Sequence, residues 1–391
     1  MKFALLLLSV FLLPIHSVAA QERPERVLMI FIDGLHPRAI ESYDLENIQR
    51  LQREGAAAET GILMFPAHPT TGPYGEWHTT SFPNVSGQAG TAFLTPRPRF
   101  LQHELRRLGK TLHAAGSASY RSMNDGFDYA LTSGGVSDAR VVDFYMAAMR
   151  ERDIVYARLM LQETGNAGRK LSAKNLSDDP WARDVFAPGS PYGAAIKKAD
   201  AEIGRLLRFL EETGRLETTL ITVKGDGQGI GGWHQTLDPE AALTPIVFRG
   251  PGIPAGTTIP YAENIDVVPT LAALMGVDAP NDDGGAGRVL FGPKAASGPH
   301  PRHLQTINGQ IRDYERLHAE AVLRAFDDPK LNVLLMELDH ALLSEHQFFA
   351  PHRVMEWHEA GSLAAIVEAN AWVLDSLRLA LEDGVYRFGA F

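Results

Sequence analysis

Residues 218–234, TTLITVKGDGQGIGGWH, combine an apolar run with a carboxylate and an imidazole. The run at 220–223 is typical of a buried parallel strand, and Asp226 follows where that strand ends. Ligands of such sheets collect at the carboxyl ends of the strands, and the glycines after Asp226 let the backbone fold closely around a bound group. Because carboxylate and imidazole both bind metal ions, the segment predicts a metal site that includes Asp226 and His234. A tight turn with an incidental histidine is the alternative.

A second apolar run also ends in a carboxylate. Residues 26–34, RVLMIFIDG, are typical of another buried strand, and Asp33 closes it just before Gly34. Two strands that end in a carboxylate are stronger evidence for a metal site at the sheet edge than one. Asp33 is therefore a second candidate ligand beside Asp226.

The amino-terminal residues predict export from the cytoplasm. Lys2, the apolar run 3–13 and the small residues up to Ala20 form the pattern of a secretory signal over residues 1–20, which predicts a secreted or periplasmic protein. An amino-terminal anchor is the alternative, but the run is too short to span a bilayer. We therefore expect no membrane span after removal of the signal.

The composition narrows the chemistry and the partners. The 391 residues include no cysteine, which excludes disulfides, thiolate ligands and cysteine nucleophiles. The formal net charge of −10, without Lys/Arg-rich runs, opposes binding to nucleic acids, so no nucleic-acid partner is expected. The sequence does not indicate an oligomeric state.

Hydrophobic periodicity predicts alternating strands and helices followed by helices alone. A glycine-rich stretch at 284–298 separates a catalytic domain, residues 21–295, from a helical appendage, residues 299–391. The predicted strands cover residues 26–34, 154–161 and 218–223 with a further short strand from about 244, and the predicted helices cover 45–54, 100–115 and 194–213 with a short helix introduced by Asp266 and Pro269.

Four segments carry a resemblance to the alkaline phosphatase superfamily, which includes phosphodiesterases/nucleotide pyrophosphatases and sulfatases. They are VLMIFIDGLHPRAI, HTTSFPNVSGQAG, LITVKGDGQG, and TPIVFRGPGIPAG with ENIDVVPTLAALMGV; together they span roughly residues 25–280. The resemblance implies an α/β three-layer sandwich, with a mostly parallel central sheet flanked by helices. It further implies a metal-dependent hydrolase of phosphate esters or diesters, or of sulfate esters, that acts on a small anionic substrate.

The resemblance also suggests a nucleophile. SFPN at residues 81–84 is similar to the TFPN-type phrase of the phosphodiesterases, which makes Ser81 the attacking residue and Thr80 the adjacent alternative. His78, Asn84 and Asn166 are the expected substrate contacts. A simple helix cap is the other interpretation of Ser81.

The phrase departs from the sulfatase signature. That signature requires an arginine four residues after the residue that becomes formylglycine, and this chain has Val85 there. An unmodified serine favours phosphate esters.

The expected metal differs from that of the two-zinc members of the superfamily. Those members have Asp-His-Gly where this chain has Asp226, Gly227 and Gln228, and they have a histidine after the central strand where residues 162–166 offer none. Glu163 and Gln228 are the possible substitutes, beside Asp33, Asp226 and His234, and His234 could instead protonate the leaving group. Such oxygen ligands favour one divalent ion, Ca, Mg or Mn, while leaving Zn open. A metal-poor pseudoenzyme that binds an anionic ligand is the alternative function.

Overall fold

The computed structural model describes residues 23–62, 99–172, 178–234, 239–280, 287–298, 303–343 and 364–388, and the structural statements below concern these residues. The described strands are β1 Arg26–Ile32, β2 Ala56–Ala58, β3 Gly61–Ile62, β4 Lys110–Ala115, β5 Tyr129–Thr132, β6 Ile154–Leu161, β7 Thr219–Gly225, β8 Ile246–Arg249, β9 Thr257–Ile259 and β10 Ala262–Glu263. Eight of them form a central sheet in the order β5-β4-β6-β1-β7-β8-β2-β9, and β10 and β3 form a separate pair.

Helices cover both faces of the sheet. The described helices are α1 Pro37–Ser42, α2 Glu46–Glu54, α3 Leu101–Leu105, α4 Asp138–Glu151, α5 Glu163–Ser172, α6 Pro191–Glu212, α7 Val267–Leu274, α8 His303–Ala325, α9 Pro329–Leu343 and α10 Ala364–Arg378. One face of the sheet packs against α2, α4 and α6 in a single large apolar cluster, and the other face packs against α3 and α7. The predicted α/β three-layer architecture is thus confirmed.

The three central strands bring polar residues to one edge. β6, β1 and β7 run parallel and are buried throughout, and Ile32 lies in register with Leu161 on one side and with Gly225 on the other. Within the sheet β8 runs antiparallel to its two neighbours. Because the chain leaves all three central strands at the same level, Asp33, Gln162 and Asp226 emerge side by side.

Most of the predicted elements are found, but the helix predicted over residues 100–115 is wrong in its second half. The strands at 26–34, 154–161 and 218–223 and the helices at 45–54 and 194–213 correspond to β1, β6, β7, α2 and α6. In the region 100–115 the helix ends at Leu105, and β4 begins at Lys110. Pairing with both β5 and β6 stabilises the extended conformation there, which local periodicity does not reveal.

Helix α2 receives its amino-terminal cap from a distant residue. Its own N-cap, Leu45, has no capping side chain, while the Asp200 carboxylate on α6 accepts hydrogen bonds from the backbone N–H groups of Asn47 at 3.2 Å and Ile48 at 2.9 Å. The Asn47 side chain donates to the same carboxylate at 2.8 Å. Asp200 therefore ties α2 to α6.

Replacing this cap is expected to destabilise the fold. Asp200→Ala leaves buried N–H donors without an acceptor, so we expect the free energy of unfolding to fall by about 2 kcal/mol in urea titrations. Asp200→Asn keeps an acceptor oxygen and is expected to lose less than half as much. Equal stability of the alanine variant and the wild type would contradict the capping role.

The carboxyl-terminal helices α8, α9 and α10 form an apolar cluster of their own, which includes Leu317, Leu334 and Leu377. This agrees with the expected helical character, while the division at residues 295 and 299 stays a prediction. Among the described helices, none combines the length and apolarity that crossing a membrane requires. Residues 1–22, and with them the predicted signal, lie outside the described residues.

Candidate metal centre

Asp33 and Asp226 lie next to each other because β1 and β7 are adjacent parallel strands. Each aspartate follows the last residue of its strand, and the backbone N–H of Gly34 donates to Asp226 Oδ1 at 2.7 Å. Gly34 adopts a φ of 72°, which allows the chain to turn away directly behind Asp33. Both carboxylates are buried. Two acidic groups are thus held together away from water.

The loop after β7 brings His234 back to these carboxylates. Gly227 and Gly232 adopt φ values of 79° and 91°, and the backbone N–H of Gly229 donates to the Trp233 carbonyl at 2.7 Å. The buried His234 ring lies with Nε2 3.3 Å from Asp33 Oδ1 and 3.2 Å from Asp226 Oδ2. The turn predicted from sequence thus closes the loop on the site.

The three side chains form a compact set of possible metal ligands. One ligand atom from each of Asp33, Asp226 and His234 lies within 4.8 Å of the other two. Asp33 Oδ1 and Asp226 Oδ2 accept no hydrogen bond of good geometry from the described residues. Buried oxygens of this kind normally face a hydrogen-bond donor or a cation. The arrangement therefore fits a divalent ion.

Burial and mutual charge perturb the titration of this set. Burial raises the pKa of the Asp226 carboxyl well above its usual value, and the nearby Asp33 charge adds to the rise, while His234 opposes it. Burial alone would lower the pKa of His234, but the Asp226 and Asp33 carboxylates outweigh it and raise the pKa to about 9. A metal ion bound between the carboxylates would therefore compete with the proton on His234.

The second ring nitrogen of His234 is also oriented. Nδ1 lies 2.9 Å from the carbonyl oxygen of Gly227, within hydrogen-bonding distance. In the neutral ring, donation from Nδ1 to this carbonyl leaves the lone pair on Nε2, which faces the two carboxylates. A backbone contact of this kind is common behind metal-binding histidines.

Gln162, at the end of β6, supports Asp33 from the other side. Its side-chain amide donates to Asp33 Oδ2, and its backbone N–H donates to Asp138 Oδ1 at 2.6 Å. Burial raises the pKa of Asp138 to about 7, and the charge of the nearby Glu163 contributes to the rise. The group that contacts Asp33 from β6 is thus a neutral amide, which donates a hydrogen bond and carries no charge.

The two predicted substitute ligands have other contacts. The Glu163 carboxylate accepts the backbone N–H of Asp138 at 3.2 Å, and Glu163 is not part of the three-residue set. Gln228 is fully buried and donates to the carbonyl oxygens of Gly229 at 3.2 Å and Trp233 at 3.4 Å. Its Oε1 has no hydrogen-bond donor among the described residues. Their roles as ligands stay predictions.

The remaining predicted site residues divide into two groups. Asn166 lines a cavity of 520 Å³ together with Asp33 and Gln162, so it lies beside the candidate metal centre. Ser81, Thr80, His78 and Asn84 fall in residues 63–98, outside the described part of the chain. Their roles remain predictions.

The helix that follows Gln162 packs on the site through two glycines. A Cβ atom at Gly165 would overlap the Asp33 carboxylate, and one at Gly168 would lie 2.6 Å from Gln228 Oε1. Because glycine has no Cβ atom, these two positions let α5 approach Asp33 and Gln228 more closely than any other residue type would allow. Arg169 and Trp233 also line the cavity, and neither of them is predicted from the sequence to be a site residue. The position of Trp233 next to His234 is the one sequence signal that could have identified either of them.

Comparison with known proteins agrees with this fold and this site. Its mostly parallel sheet with acidic strand ends is that of the alkaline phosphatase superfamily. The solved structure of a phosphonate monoester hydrolase from Silicibacter pomeroyi aligns with a TM-score of 0.53 at 17% identity, covering 70% of this chain and 78% of that one. The sulfatase family matches residues 27–277, more than half of the chain. The chain therefore belongs to the sulfatase family, within that superfamily.

Curated relatives match shorter segments. An N-acetylglucosamine-6-O-sulfatase from Bacteroides thetaiotaomicron is 35% identical over 102 residues, and a choline-sulfatase from Rhizobium meliloti is 37% identical over 112 residues. These segments cover 24% and 27% of this chain, but only 18% and 22% of the two relatives. The likeness is thus to part of each relative.

Proposed function

We propose that this protein is a metal-dependent hydrolase of small anionic esters. The proposal is carried by one observation, the convergence of Asp33, Asp226 and His234 at the carboxyl edge of the sheet. Phosphate esters or diesters are the favoured substrates because Val85 replaces the arginine of the formylglycine signature, and sulfate esters are the alternative. The sulfatase activities named for the two curated relatives support that alternative.

Asp33, Asp226 and His234 would hold one divalent ion. When bound, such an ion lowers the pKa of a hydroxyl nucleophile and neutralises charge on the ester oxygens, an effect worth several kcal/mol. Two carboxylates and one imidazole suit Ca, Mg or Mn, with Zn left open. Gln162 would hold Asp33 in position through its amide.

His234 acts as a ligand in this proposal rather than as a proton donor. Its Nε2 faces both carboxylates, and its Nδ1 faces the Gly227 carbonyl. Neither nitrogen is therefore directed at a leaving group. The alternative role, protonation of the leaving group, would require the ring to turn out of these contacts.

Ser81 is the proposed nucleophile and Thr80 its alternative, both from the resemblance of SFPN to the phosphodiesterase phrase. The Ser81 oxygen would lose its proton to solvent, attack the phosphorus or sulfur atom and displace the alcohol, which takes up a proton from solvent. Water would then hydrolyse the seryl ester, release the acid product and regenerate Ser81. His78, Asn84 and Asn166 are the proposed substrate contacts. Of these, the location of Asn166 in the cavity beside Asp33 supports its role.

A pseudoenzyme that binds an anionic ligand is the second candidate. It is favoured by the sequence, because residues 162–166 and 226–228 lack the histidines of the two-zinc pattern and offer the neutral amides of Gln162 and Gln228. Without a second ion, one of the two charges that stabilise the attacking and leaving oxygens is missing. Turnover distinguishes the two candidates.

A panel of chromogenic esters tests the proposal. We expect the metal-free protein to be inactive and to hydrolyse 4-nitrophenyl phosphate or bis(4-nitrophenyl) phosphate after addition of Ca, Mg or Mn, with 4-nitrophenyl sulfate as the third arm. Ser81→Ala is expected to abolish turnover, whereas Thr80→Ala is expected to keep it; the reverse result would make Thr80 the nucleophile. Absence of turnover with every ester and metal, while an anion still binds, would support the pseudoenzyme instead.

The proposed cellular location rests on the amino-terminal sequence pattern. We propose that residues 1–20 act as a secretory signal and that the protein works in the periplasm or outside the cell. Neither a nucleic-acid partner nor a membrane span after signal removal is part of this proposal.

A further inference from the structure

The 520 Å³ cavity lies directly beside the metal centre, and Asp33 and Gln162 form part of its wall. Asn166 and Arg169, both on α5, line it as well, and so does Trp233 from the loop that carries His234. Its volume lies within the range of pockets that enclose whole small molecules. A substrate whose ester lies at Asp33 would therefore extend its remaining part into this cavity.

Helix α5 fixes the position of Arg169 relative to the metal centre. Gly165 and Gly168 pack against Asp33 and Gln228, and the residue after each of them, Asn166 and Arg169, lines the cavity. The spacing of three residues puts Asn166 and Arg169 on one face of the helix. One rigid element thus contacts the metal centre and presents a guanidinium group to the cavity.

Trp233 holds that guanidinium group. Arg169 Cζ lies 5.5 Å from the centroid of the Trp233 ring, within the range of cation–π contacts. The Trp233 ring lies 4.4 Å from the His234 ring, and Trp233 adopts a φ of 62°, which is rare for a bulky residue. Strained residues of this kind concentrate at ligand sites. The same loop therefore positions both His234 and the aromatic partner of Arg169.

The charges of the cavity indicate what Arg169 would bind. Arg169 is the cation among the described residues that line the cavity, and it is exposed, whereas the metal-binding set is buried. The ester itself would lie at the buried set. The exposed guanidinium group would meet a part of the substrate that lies nearer the solvent, and its paired N–H donors match a carboxylate, phosphate or sulfate.

We infer that Arg169, held against Trp233, is a specificity-determining residue that binds a second anionic group on the substrate. This inference rests on the proposed function, which assigns the reacting ester to the metal centre. The preferred substrates are then esters whose alcohol portion carries an additional negative charge.

Binding of non-hydrolysable ligands tests the inference without requiring turnover. Calorimetry with the metal-loaded protein would compare phenylphosphonate with 4-carboxyphenylphosphonate, and benzenesulfonate with 4-carboxybenzenesulfonate. We expect the wild type to bind the carboxylated member of at least one pair about tenfold more tightly, as one charge-assisted hydrogen-bonded contact allows. Arg169→Gln is expected to abolish this preference, and Arg169→Lys to keep part of it.

The neighbouring lysine provides the matched control. Lys170 is exposed on the same helix but lines a different cavity, so Lys170→Gln removes the same charge and is expected to keep the full preference. Equal preference in Arg169→Gln and the wild type would overturn the inference, and so would no preference in either ligand pair. A preference without hydrolysis of any ester would support the binding site and reject the hydrolase, and hydrolysis without a preference would do the reverse.

Discussion

Asp226→Asn is expected to lower kcat/KM for the preferred ester by about a thousandfold, which corresponds to ~4 kcal/mol of transition-state stabilisation. The substitution keeps the size of the side chain and an oxygen that can accept the Gly34 N–H, so the fold should persist. It removes one of the two negative charges that would hold the cation. Steady-state kinetics across a titration of the added metal would measure the loss.

A control separates this effect from a general loss of charge. Asp153 pairs with the buried Arg26 at 3.5 Å at the opposite end of β6, and its own side chain is 74% exposed. Asp153→Asn is expected to leave kcat/KM within a factor of two, because an exposed carboxylate far from the candidate metal centre is screened by solvent. Activity of Asp226→Asn close to that of the wild type would show that Asp226 does not bind a catalytic ion.

Gly165→Ala is expected to lower activity by about a hundredfold and the free energy of unfolding by ~1–3 kcal/mol. Alanine normally stabilises a helix interior relative to glycine by about 1 kcal/mol, so the expected direction is opposite to the usual one. The cause is steric, because a Cβ atom at this position would overlap the Asp33 carboxylate and displace it from Asp226 and His234. Urea titrations and kinetics would measure the two effects.

A second helical glycine tests whether the overlap is responsible. Among the described residues, nothing lies within 4 Å of the position that a Cβ atom would take at Gly309 in α8. Gly309→Ala is therefore expected to raise the stability by ~0.5–1 kcal/mol and leave activity unchanged. A stable and fully active Gly165→Ala variant would mean that Asp33 can shift without consequence, which contradicts its role as a ligand.

The two aspartates and the histidine could be predicted because each signal is local. Asp33 and Asp226 each follow an uninterrupted apolar strand, and parallel strands present their carboxyl ends at the same edge. The glycines between Asp226 and His234 indicate a tight loop, which brings His234 back beside Asp226. Local patterns therefore sufficed for the three residues that now form the candidate metal centre.

Other features depend on the order of the strands, which the sequence does not state. Gln162 reaches Asp33 because β6 neighbours β1, although 129 residues separate them along the chain. The residues of β4 resemble a helix locally and become a strand only between β5 and β6. In the sequence Arg169 resembles any exposed helical arginine, and only the tertiary structure shows its contact with Trp233. Such long-range relations require the tertiary structure.

The metal content of the protein tests the central claim most directly. After removal of metal by chelation and dialysis against Mn, Ca, Mg or Zn, elemental analysis would count the ions bound per chain in the wild type and in Asp33→Asn, Asp226→Asn and His234→Ala. We expect one divalent ion per chain in the wild type, and in each variant either loss of this ion or a large drop in metal affinity. Undiminished metal content and affinity in all three variants would show that the buried set is not a metal centre.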